Sequence, residues 1–352
     1  MKISIVGSKG FGIGYGGFET IVREMVPILA ERCEVSVTGN YNRGDVAQGI
    51  RLVHIGVSAN GPAAALHDLL AILKTSGSDW VIVLGPSAGV LLPLLKLIFR
   101  FKLAVHVDGI EWKREKWGLL TRVLIFLNER FSIFAADLCI SDNKAVTQYL
   151  ENIVERSRIL EVGYGGDHVS ESRPTFCKDV NAYFICRIEP ENNIHMILEA
   201  IDKCERSQLV AIGNWEVSEY ARRLKKQFLC HSRIRIFDPI YDQKMLGEII
   251  GNCNVCIHGH SVGGTNPALV EAIFRGVDIF AFDCDFNRAT LNNGYQYFSS
   301  VDELRKLLLA YDPALMKSTE MAALIGDLKL GYRWDVVADG YFEGLKGASL
   351  GG

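Results

Sequence analysis

The sequence lacks an apolar run long enough to cross a membrane. Its longest apolar stretch, residues 90–107, is interrupted by Lys96, Arg100 and Lys102, whereas a spanning helix needs roughly 20 consecutive apolar residues. The first residues, MKISIVGSKG, turn glycine-rich after one short apolar strand and lack the apolar core of a signal peptide. Both absences argue against a membrane-embedded or secreted protein, and we expect a cytoplasmic one.

An excess of positive charge is missing as well. The 352 residues include 38 Lys and Arg against 41 Asp and Glu, which gives a formal net charge of −3. Because there is no global basic field, we expect no nucleic-acid partner. The nine cysteines are an odd number and are scattered through apolar stretches, so they are expected to be reduced thiols rather than a disulfide framework.

The segment from Lys96 to Arg130 departs from this balance. It holds eight Lys or Arg against four Asp or Glu, with Leu, Ile, Phe and Trp interleaved. Such a segment is suited to an anionic membrane surface. A pair of buried helices with solvated basic edges would have the same composition, and the sequence leaves both interpretations open.

Secondary-structure signals alternate along both halves of the chain. Short β-branched runs are separated by longer amphipathic segments, as in parallel sheets with crossover helices. The polar stretch Gly165–Asp179 interrupts the alternation and indicates a domain boundary. We predict an α/β protein with two doubly wound, Rossmann-like domains facing a central cleft, over 1–167 and 181–330, with a linker over 168–180. The predicted strands cover residues 3–6, 35–38, 80–84, 182–186, 208–212, 233–237, 254–258 and 277–282.

A G-x-G-x-x-G pattern at Gly12, Gly14 and Gly17 first suggests a dinucleotide site. The pattern begins several residues after the first strand, whereas the fingerprint requires a glycine at the strand's end. The second strand ends in Thr38-Gly39-Asn40, without the acidic residue that would bind a ribose hydroxyl. The context therefore argues against NAD.

A second pattern, Gly85-Pro86-Ser87-Ala88-Gly89, has the G-x-S-x-G spacing of a hydrolase nucleophile elbow and lies between a strand and a helix. An alternative hypothesis is therefore a serine hydrolase with Ser87 as its nucleophile. Pro86 stiffens the turn and argues against it.

Two further patterns suggest metal sites. Cys253, Cys256, His258 and His260 have a zinc-like spacing, but in a strand Cys253 and Cys256 would point to opposite faces, so a buried strand is the better interpretation. Asp283-Cys284-Asp285 matches a D-x-D motif, and a turn after a strand explains it equally well.

The segment HSVGGTNPALVEAI, residues 260–273, joins a predicted strand to a predicted helix. Asn266 and Pro267 are typical of an N-cap and a first helical position. Capping alone does not require Gly263 and Gly264, which allow a ligand to approach the backbone closely. Because a helix N-terminus offers free N–H groups and a positive dipole end, the junction predicts an anion site.

The segment CRIEPENN, residues 186–193, places Arg187 between a strand and a helix start. An arginine in this position is suited to bidentate contact with phosphate. The alternative is an exposed salt bridge to Glu189 or Glu191.

Together these stretches resemble the retaining family 4 glycosyltransferases of GT-B fold. The closer resemblance is to the bacterial polysaccharide subgroup that includes rhamnosyltransferases, and it runs almost from end to end. It is carried by YGGFET (15–20), HVDGIEWKREKWG (106–118), VGYGGDH (162–168), RIEPENN (187–193) and SVGGTNP (261–267).

The resemblance implies a nucleotide-sugar donor site and neither a metal nor another cofactor. In the family, N–H groups of the glycine loop contact the diphosphate, the arginine neutralises it, and the glutamate of the following helix, here Glu271, holds the ribose hydroxyls. A helix dipole, N–H groups and Arg187 can then stabilise the departing diphosphate without a metal. The implied donor-binding residues are Gly16, Gly17, Arg187, Asn192, Gly263, Gly264, Thr265, Asn266 and Glu271.

The resemblance also implies roles for residues of the N-terminal domain. His106 and Asp108 at a strand's end, with Glu111, are the expected catalytic residues, which would orient the donor sugar or the acceptor hydroxyl. The expected acceptor-side residues are Glu19, Trp112, Lys113 and Arg114. The family retains anomeric configuration by same-face attack, and its last helix, here within 331–352, crosses back to the first domain.

Two positions depart from the wider family, which has Glu where this chain has Gly263 and Lys where it has Asn192. The missing Glu normally touches the donor sugar, and a less hydroxylated sugar tolerates that loss. We therefore expect rhamnose transfer from dTDP-rhamnose to a lipid-diphosphate-linked or growing surface polysaccharide, such as O-antigen or capsule, at the cytoplasmic face of the inner membrane. The alternatives are the serine hydrolase and a nucleotide-binding module without activity.

Overall fold

The computed structural model describes residues 1–13, 16–42, 47–59, 63–86, 89–114, 117–171, 179–314 and 318–350. Strands and helices alternate along these residues. The strands are β1 (Lys2–Val6), β2 (Glu34–Gly39), β3 (Ile50–His54), β4 (Trp80–Leu84), β5 (Lys102–Val107), β6 (Leu138–Ser141), β7 (Ile159–Glu161), β8 (Val180–Ile185), β9 (Ser207–Ile212), β10 (Ile234–Phe237), β11 (Val255–His258), β12 (Asp278–Phe282) and β13 (Gln296–Phe298). The helices are α1 (Gly17–Ala30), α2 (Ala64–Thr75), α3 (Leu92–Ile98), α4 (Leu119–Ala135), α5 (Lys144–Glu151), α6 (Ile194–Asp202), α7 (Glu219–Phe228), α8 (Gln243–Ile250), α9 (Pro267–Arg275), α10 (Asp285–Thr290), α11 (Val301–Ala310), α12 (Thr319–Gly331) and α13 (Trp334–Leu350).

The chain divides into two compact units. Unit 1 comprises Met1–Gly165 and Arg333–Gly352, and unit 2 comprises Gly166–Tyr332. Helix α13 therefore belongs to unit 1, although it follows unit 2 in the chain.

Unit 1 is built on a seven-stranded parallel sheet in the order β3-β2-β1-β4-β5-β6-β7. Its central strand β4 reads WVIVL, and all five residues are buried. A continuous apolar run of this kind is expected where helices cover both faces of a parallel sheet. The order reverses between β1 and β4, which is the topological switch point of this sheet.

Helix α13 packs on unit 1 through several types of contact. The ring of Trp334 lies 4.9 Å from that of Tyr164, and a Cβ atom on Gly165 would lie 2.2 Å from the Trp334 ring. Arg32, two residues after the end of α1, forms a 2.5 Å ion pair with Asp339 of α13. Because Gly165 has no side chain, the Trp334 ring of α13 can lie close to the backbone at that residue.

Unit 2 is built on a six-stranded parallel sheet in the order β10-β9-β8-β11-β12-β13. Successive residues of its strands enter opposite cores, since Phe184 of β8 lies in one hydrophobic cluster and Tyr183 in the other. The fully buried Trp215 anchors the first cluster. The order reverses between β8 and β11, so the switch point of this sheet lies there.

Several helices begin at residues that the sequence marks as N-caps. In each case a side-chain oxygen accepts a hydrogen bond from a backbone N–H of the first turn, which stabilises a helix by about 0.5–2 kcal/mol. The capping residues are Asn143, Ser218, Asp242, Asn266, Ser300 and Ser318.

The predicted fold class is confirmed. Every predicted strand is present, and its ends differ from the prediction by no more than two residues. Strands β3, β6, β7 and β13 are not identified from the sequence. They have only three to five residues, too few to give a clear alternation, and all but β6 lie at a sheet edge.

Candidate active site

The switch point of unit 2 brings together the two segments in which the sequence predicts a phosphate site. Strand β8 ends one residue before Cys186-Arg187, and β11 ends at His258 just before the Gly263 loop. The two strands are neighbours in the sheet. Ligands of open α/β sheets bind beyond the carboxyl ends of the strands at such a point.

Hydrogen bonds tie these two segments to each other. The N–H and the hydroxyl of Ser261 both donate to the carbonyl of Glu191, at 3.0 and 2.8 Å. The Asn193 amide donates to the Gly259 carbonyl at 2.9 Å. Asn193 has a left-handed backbone with φ 51°, a conformation that Asn adopts more readily than most residues. The segment after β8 and the loop after β11 are therefore held together by hydrogen bonds.

Asn192 lies at the centre of this arrangement and is 3% exposed. Its Nδ2 donates to the Arg187 carbonyl at 2.6 Å, and its Oδ1 lies 2.6 Å from Nδ1 of His260. The His260 carbonyl accepts a hydrogen bond from Asn287 at 2.8 Å. Asn192 thus fixes the backbone from which the Arg187 side chain extends.

The glycine loop leads directly into α9. Asn266 caps the helix by accepting from the Ala268 N–H at 3.1 Å, and Pro267 is the first helical residue. Gly263 has φ 156°, and a Cβ atom there would lie 2.6 Å from Nε2 of His260. The capping prediction is confirmed, and the geometry also explains why residue 263 has no side chain.

The Arg187 guanidinium is suited to meet an incoming anion. Its side chain is 61% exposed, and its Nε lies 3.8 Å from a Glu189 carboxylate oxygen. The ion pair that the sequence offers as an alternative is therefore present, but it is long. Exposed ion pairs of this kind contribute roughly 0–1 kcal/mol, so an anionic ligand can compete for the guanidinium.

Glu271 lies on α9 and is 6% exposed. His168 Nε2 lies 3.3 Å from its carboxylate, and the His168 side chain is 5% exposed. In the sequence, residue 168 is predicted to belong to the linker and is not proposed for the site. That assignment misses the contact, for which the only signal in the sequence is the VGYGGDH motif.

Two histidines lie next to each other below the glycine loop. The rings of His258 and His260 are 6.0 Å apart. Burial lowers the pKa of His258 to about 4, and its Nε2 has no hydrogen-bond partner among the described residues. Both line a small cavity between β8 and β11 together with Cys186, Gly259 and Ala268. The interpretation of Cys256 and His258 as part of a buried strand is confirmed.

In unit 1 the proposed catalytic residues differ in environment. His106 is 1% exposed, and its ring lies 5.5 Å from that of Phe18 and 6.5 Å from that of Tyr341. Burial lowers its pKa to about 4. Asp108 follows the end of β5 and is exposed. Asp108 is therefore more accessible to a substrate than His106.

The residues after β5 that are predicted to lie on the acceptor side contact one another and their neighbours. Glu111 accepts a hydrogen bond from Trp117 at 3.0 Å and pairs with Arg114 at 2.7 Å. The Trp112 indole donates to the Tyr149 hydroxyl at 3.3 Å, and Lys113 lies 5.6 Å from the Trp112 ring centre. Glu111 is thus engaged by its own segment.

The Gly16-Gly17 segment opens α1 in unit 1. A carboxylate oxygen of Glu19 accepts a hydrogen bond from the Lys9 N–H at 3.3 Å. A Cβ atom on Gly16 would lie 2.2 Å from the other Glu19 oxygen. Glu19 is therefore folded back onto its own loop in the first turn of the helix.

Helices α3 and α4 of unit 1 pack against each other and expose apolar side chains. We call these residues the α3–α4 apolar face. No helix among the described residues has the length and apolar character needed to span a membrane. The face comprises Val90, Leu91, Leu94, Leu97, Ile98, Leu119, Leu120, Val123, Leu124, Leu127, Phe131 and Phe134, which are 39–85% exposed.

Only one of the two remaining competing patterns lies wholly within the described residues. Ser87 of the serine hydrolase reading lies outside the described residues. Asp283 forms a two-contact ion pair with Arg288, at 2.5 and 2.8 Å, and this partner lowers the Asp283 pKa. The turn interpretation of Asp283-Cys284-Asp285 is supported by this pairing.

Comparison with solved structures identifies the architecture. Sucrose-phosphate synthase of Thermosynechococcus elongatus superposes with a TM-score of 0.78 at 14% identity over 100% of both chains. HepE of Anabaena, in complex with UDP-glucose, gives 0.75 at 14% identity over 99% of this chain and 100% of that chain. The chain has the GT-B fold. The lipopolysaccharide outer core galactosyltransferase WaaB in its apo form gives 0.66 at 14% identity over 99% of each chain.

Sequence comparisons add little to this result. The family described as "Domain of unknown function (DUF1972)" matches residues 1–167. No curated protein matches the chain.

Proposed function

We propose that the protein is a glycosyltransferase that uses a nucleotide sugar as donor. The observation that carries the proposal is the arrangement at the switch point of unit 2, where Arg187 and the Gly263 loop meet at the N-terminus of α9. Glycosyltransferases are among the structures that share its fold, and HepE was solved with UDP-glucose. Both facts support a nucleoside diphosphate as the ligand of this arrangement.

Each part of the donor site has a separate task. The loop N–H groups and the positive end of the α9 dipole bind the diphosphate, Arg187 neutralises it, and the buried carboxylate of Glu271 receives the ribose hydroxyls. As the bond to the sugar breaks, negative charge grows on the leaving diphosphate, and these fixed groups stabilise it without reorganisation. We propose metal-independent transfer with retention of configuration.

Unit 1 supplies the residues that act on the sugar and the acceptor. Asp108 is exposed at the end of β5, where a carboxylate can orient a hydroxyl group. Trp112, Lys113 and the Glu111–Arg114 pair form the proposed acceptor side. For the donor we propose dTDP-rhamnose, since Gly263 offers no side chain to the hydroxyl groups of a sugar.

We propose that the acceptor is a lipid-diphosphate-linked or growing surface polysaccharide at the cytoplasmic face of the inner membrane. The α3–α4 apolar face supports a membrane partner, since contiguous exposed apolar surface marks interaction sites. Glu129 is the only carboxylate in these two helices and is 1% exposed. Arg100 is exposed and Arg122 partly exposed beside the face, so its charge complements anionic lipids.

The donor site is tested by thermal unfolding with dTDP, UDP, GDP and NAD, each without metal and at several concentrations. A ligand at about 100 times its dissociation constant stabilises the fold by roughly 2.7 kcal/mol. We expect one nucleoside diphosphate to raise the unfolding midpoint of the wild type. Arg187→Ala should need a ligand concentration about 10–100 times higher for the same rise, because a hydrogen bond to a charged group contributes about 1.5–3 kcal/mol.

Arg222→Ala is the matched control, because Arg222 is an exposed arginine on α7 that donates to the carbonyl of Glu216, just before that helix. Stabilisation by NAD alone, or by none of the four ligands, would contradict the donor site. An unchanged response of Arg187→Ala would remove that residue from it.

The membrane surface is tested by sedimentation with vesicles of neutral or anionic lipids at rising salt. We expect binding to anionic vesicles that weakens as salt screens the basic residues. The variant with Leu97→Ser, Leu119→Ser and Leu120→Ser should lose it, while Leu309→Ser and Leu330→Ser, also at exposed leucines, should not. Sedimentation with neither kind of vesicle would exclude the membrane partner and leave the donor site untouched.

A further inference from the structure

His168 lies against helix α9 next to Glu271, the residue proposed above to receive the ribose of the donor. The segment that carries His168 packs closely on this helix, because a Cβ atom on Gly166 would lie 2.5 Å from the Phe274 ring and 2.8 Å from a Val270 methyl carbon. Nε2 of His168 lies 3.3 Å from Oε1 of Glu271, and the two side chains are 5% and 8% exposed. The imidazole therefore contacts one oxygen of a nearly buried carboxylate.

The other oxygen of Glu271 is available to a ligand. Within the described part of the chain, no second ion pair and no hydrogen bond engages this carboxylate. A carboxylate accepts hydrogen bonds through both of its oxygens, so a free one can receive the two neighbouring hydroxyls of a ribose, one on each oxygen. With the imidazole of His168 beside Oε1, the carboxylate of Glu271 offers only one such place.

The sugars of ribonucleotides and deoxyribonucleotides differ in the groups that meet this carboxylate. A ribose presents hydroxyls on C2′ and C3′, whereas a 2′-deoxyribose presents only the hydroxyl on C3′. That single hydroxyl finds an acceptor in the remaining oxygen of Glu271. The additional hydroxyl of a ribose would lose its water without gaining a partner, and a buried polar group left unpaired weakens binding.

We propose that His168 makes the donor site selective for nucleoside diphosphates with a 2′-deoxyribose, by occupying one of the two oxygens of Glu271. The proposal rests on the proposed function, in which Glu271 receives the hydroxyls of the ribose. His168 acts through Glu271 and is therefore a positioning residue. The selectivity agrees with dTDP-rhamnose as the donor, on grounds that do not involve Gly263.

The test is calorimetric titration of the intact protein with pairs of nucleoside diphosphates that differ only in the 2′-hydroxyl. The pairs are UDP with dUDP, GDP with dGDP, and ribothymidine diphosphate with dTDP. For the pair that binds, we expect the wild type to bind the deoxy member about tenfold more tightly, equivalent to about 1.4 kcal/mol. The ratio compares two ligands on one protein, so a general loss of stability in a variant cancels.

Two variants of residue 168 separate selectivity from a merely structural contact. His168→Ala should bring the ratio close to one, because both oxygens of Glu271 then become available to a ribose. His168→Gln should keep the ratio of the wild type, since an amide N–H can still donate to the same oxygen. A contact that served only the stability of the fold would lower the unfolding midpoint of His168→Ala and leave the ratio unchanged.

The controls are two other histidines of unit 2. Nε2 of His231 also contacts a carboxylate oxygen, that of Asp202 at 3.0 Å, but these residues precede β10 and β9 and so lie at the amino ends of the strands. His231→Ala is thus matched to His168→Ala. His195→Gln is matched to His168→Gln, because His195 is an exposed residue of α6 that contacts the Tyr220 hydroxyl. Both controls should show the ratio of the wild type.

The outcomes distinguish this proposal from the proposed function. Equal ratios in the wild type and His168→Ala overturn the proposal. If His168→Ala does not fold, the wild type decides, because equal or tighter binding of the ribose member overturns the proposal alone. Absence of binding by every nucleoside diphosphate, with either sugar, would instead overturn the proposed function, and this inference with it.

Discussion

The two sheets have the same order for their first six strands, yet the residues at the carboxyl ends of their inner strands differ in chemistry. In unit 2 the segments after β8 and β11 are joined by side-chain hydrogen bonds of Asn192, Asn193 and Ser261. In unit 1 the imidazole of His106 lies between the rings of Phe18 and Tyr341. The polar junction fixes the backbone of the proposed anion site, whereas the aromatic one lies beside the exposed carboxylate of Asp108 that we propose acts on the sugar. One topology can therefore serve two tasks.

The two units also differ in how their exposed apolar residues are distributed. The exposed large apolar residues of unit 1 are concentrated on the α3–α4 apolar face. Those described in unit 2, such as Val217, Leu229, Met245 and Leu309, are spread over several elements. Scattered apolar residues are normal, while a concentrated set indicates an interaction surface.

The largest expected effect concerns a feature that both sheets have, a histidine buried in an inner strand. The pKa of His106 and that of His258 are each lowered to about 4 by burial. Below about pH 6.5 these two histidines bind protons in the unfolded chain but not in the folded one. The free energy of unfolding should therefore fall as the pH is lowered from about 6.5 to 4, and these groups should not affect it above pH 6.5. The loss approaches about 3 kcal/mol for each histidine.

Urea unfolding between pH 4 and 8 measures this loss. His106→Phe and His258→Leu should each flatten the pH dependence by a similar amount, and His195→Gln serves as control. A profile that stays unchanged in both variants would show that other groups cause the acid destabilisation.

The next effect separates the tasks of the two units. Asp108→Asn should lower the rate of sugar transfer about 100-fold or more, equivalent to about 2.7 kcal/mol, because it removes a charge beside the proposed reaction. The affinity for the nucleoside diphosphate should stay the same, since the proposed donor site lies in unit 2. Turnover and calorimetric affinity are measured on one preparation, with Asp302→Asn, an exposed acid of α11, as control. An unchanged transfer rate would remove Asp108 from the mechanism.

The smallest effect concerns the surface of unit 1. Arg32 pairs with Asp339 of α13 at 2.5 Å, and both side chains are more than 40% exposed. Solvent screens such pairs, so Arg32→Ala should lower the free energy of unfolding by no more than about 1 kcal/mol. Urea unfolding measures the change. A loss of several kcal/mol would mean that α13 is held by this pair rather than by the packing of Trp334 and Tyr164.

Local signals made the central parts of the fold predictable. Strand β4 reads as five consecutive apolar residues, and Asn266-Pro267 reads as a helix start. The short strands β3, β6, β7 and β13 were not predicted, because three to five residues carry too little local signal and their extended conformation depends on pairing with a neighbouring strand. The site residues Arg187 and Gly263 follow from motifs, but the contact between His168 and Glu271 joins residues more than 100 positions apart.

The sequence by itself determined the alternation of strands and helices, the capped start of α9 and the glycine loop before it, because these depend on residues close together in the chain. Only the tertiary structure decided that Asn192 holds both Arg187 and His260, and that residue 263 lacks a side chain because an imidazole occupies the adjacent space. Such contacts depend on which strands become neighbours. Burial in the assembled sheets, rather than any local pattern, lowers the pKa of His106 and of His258.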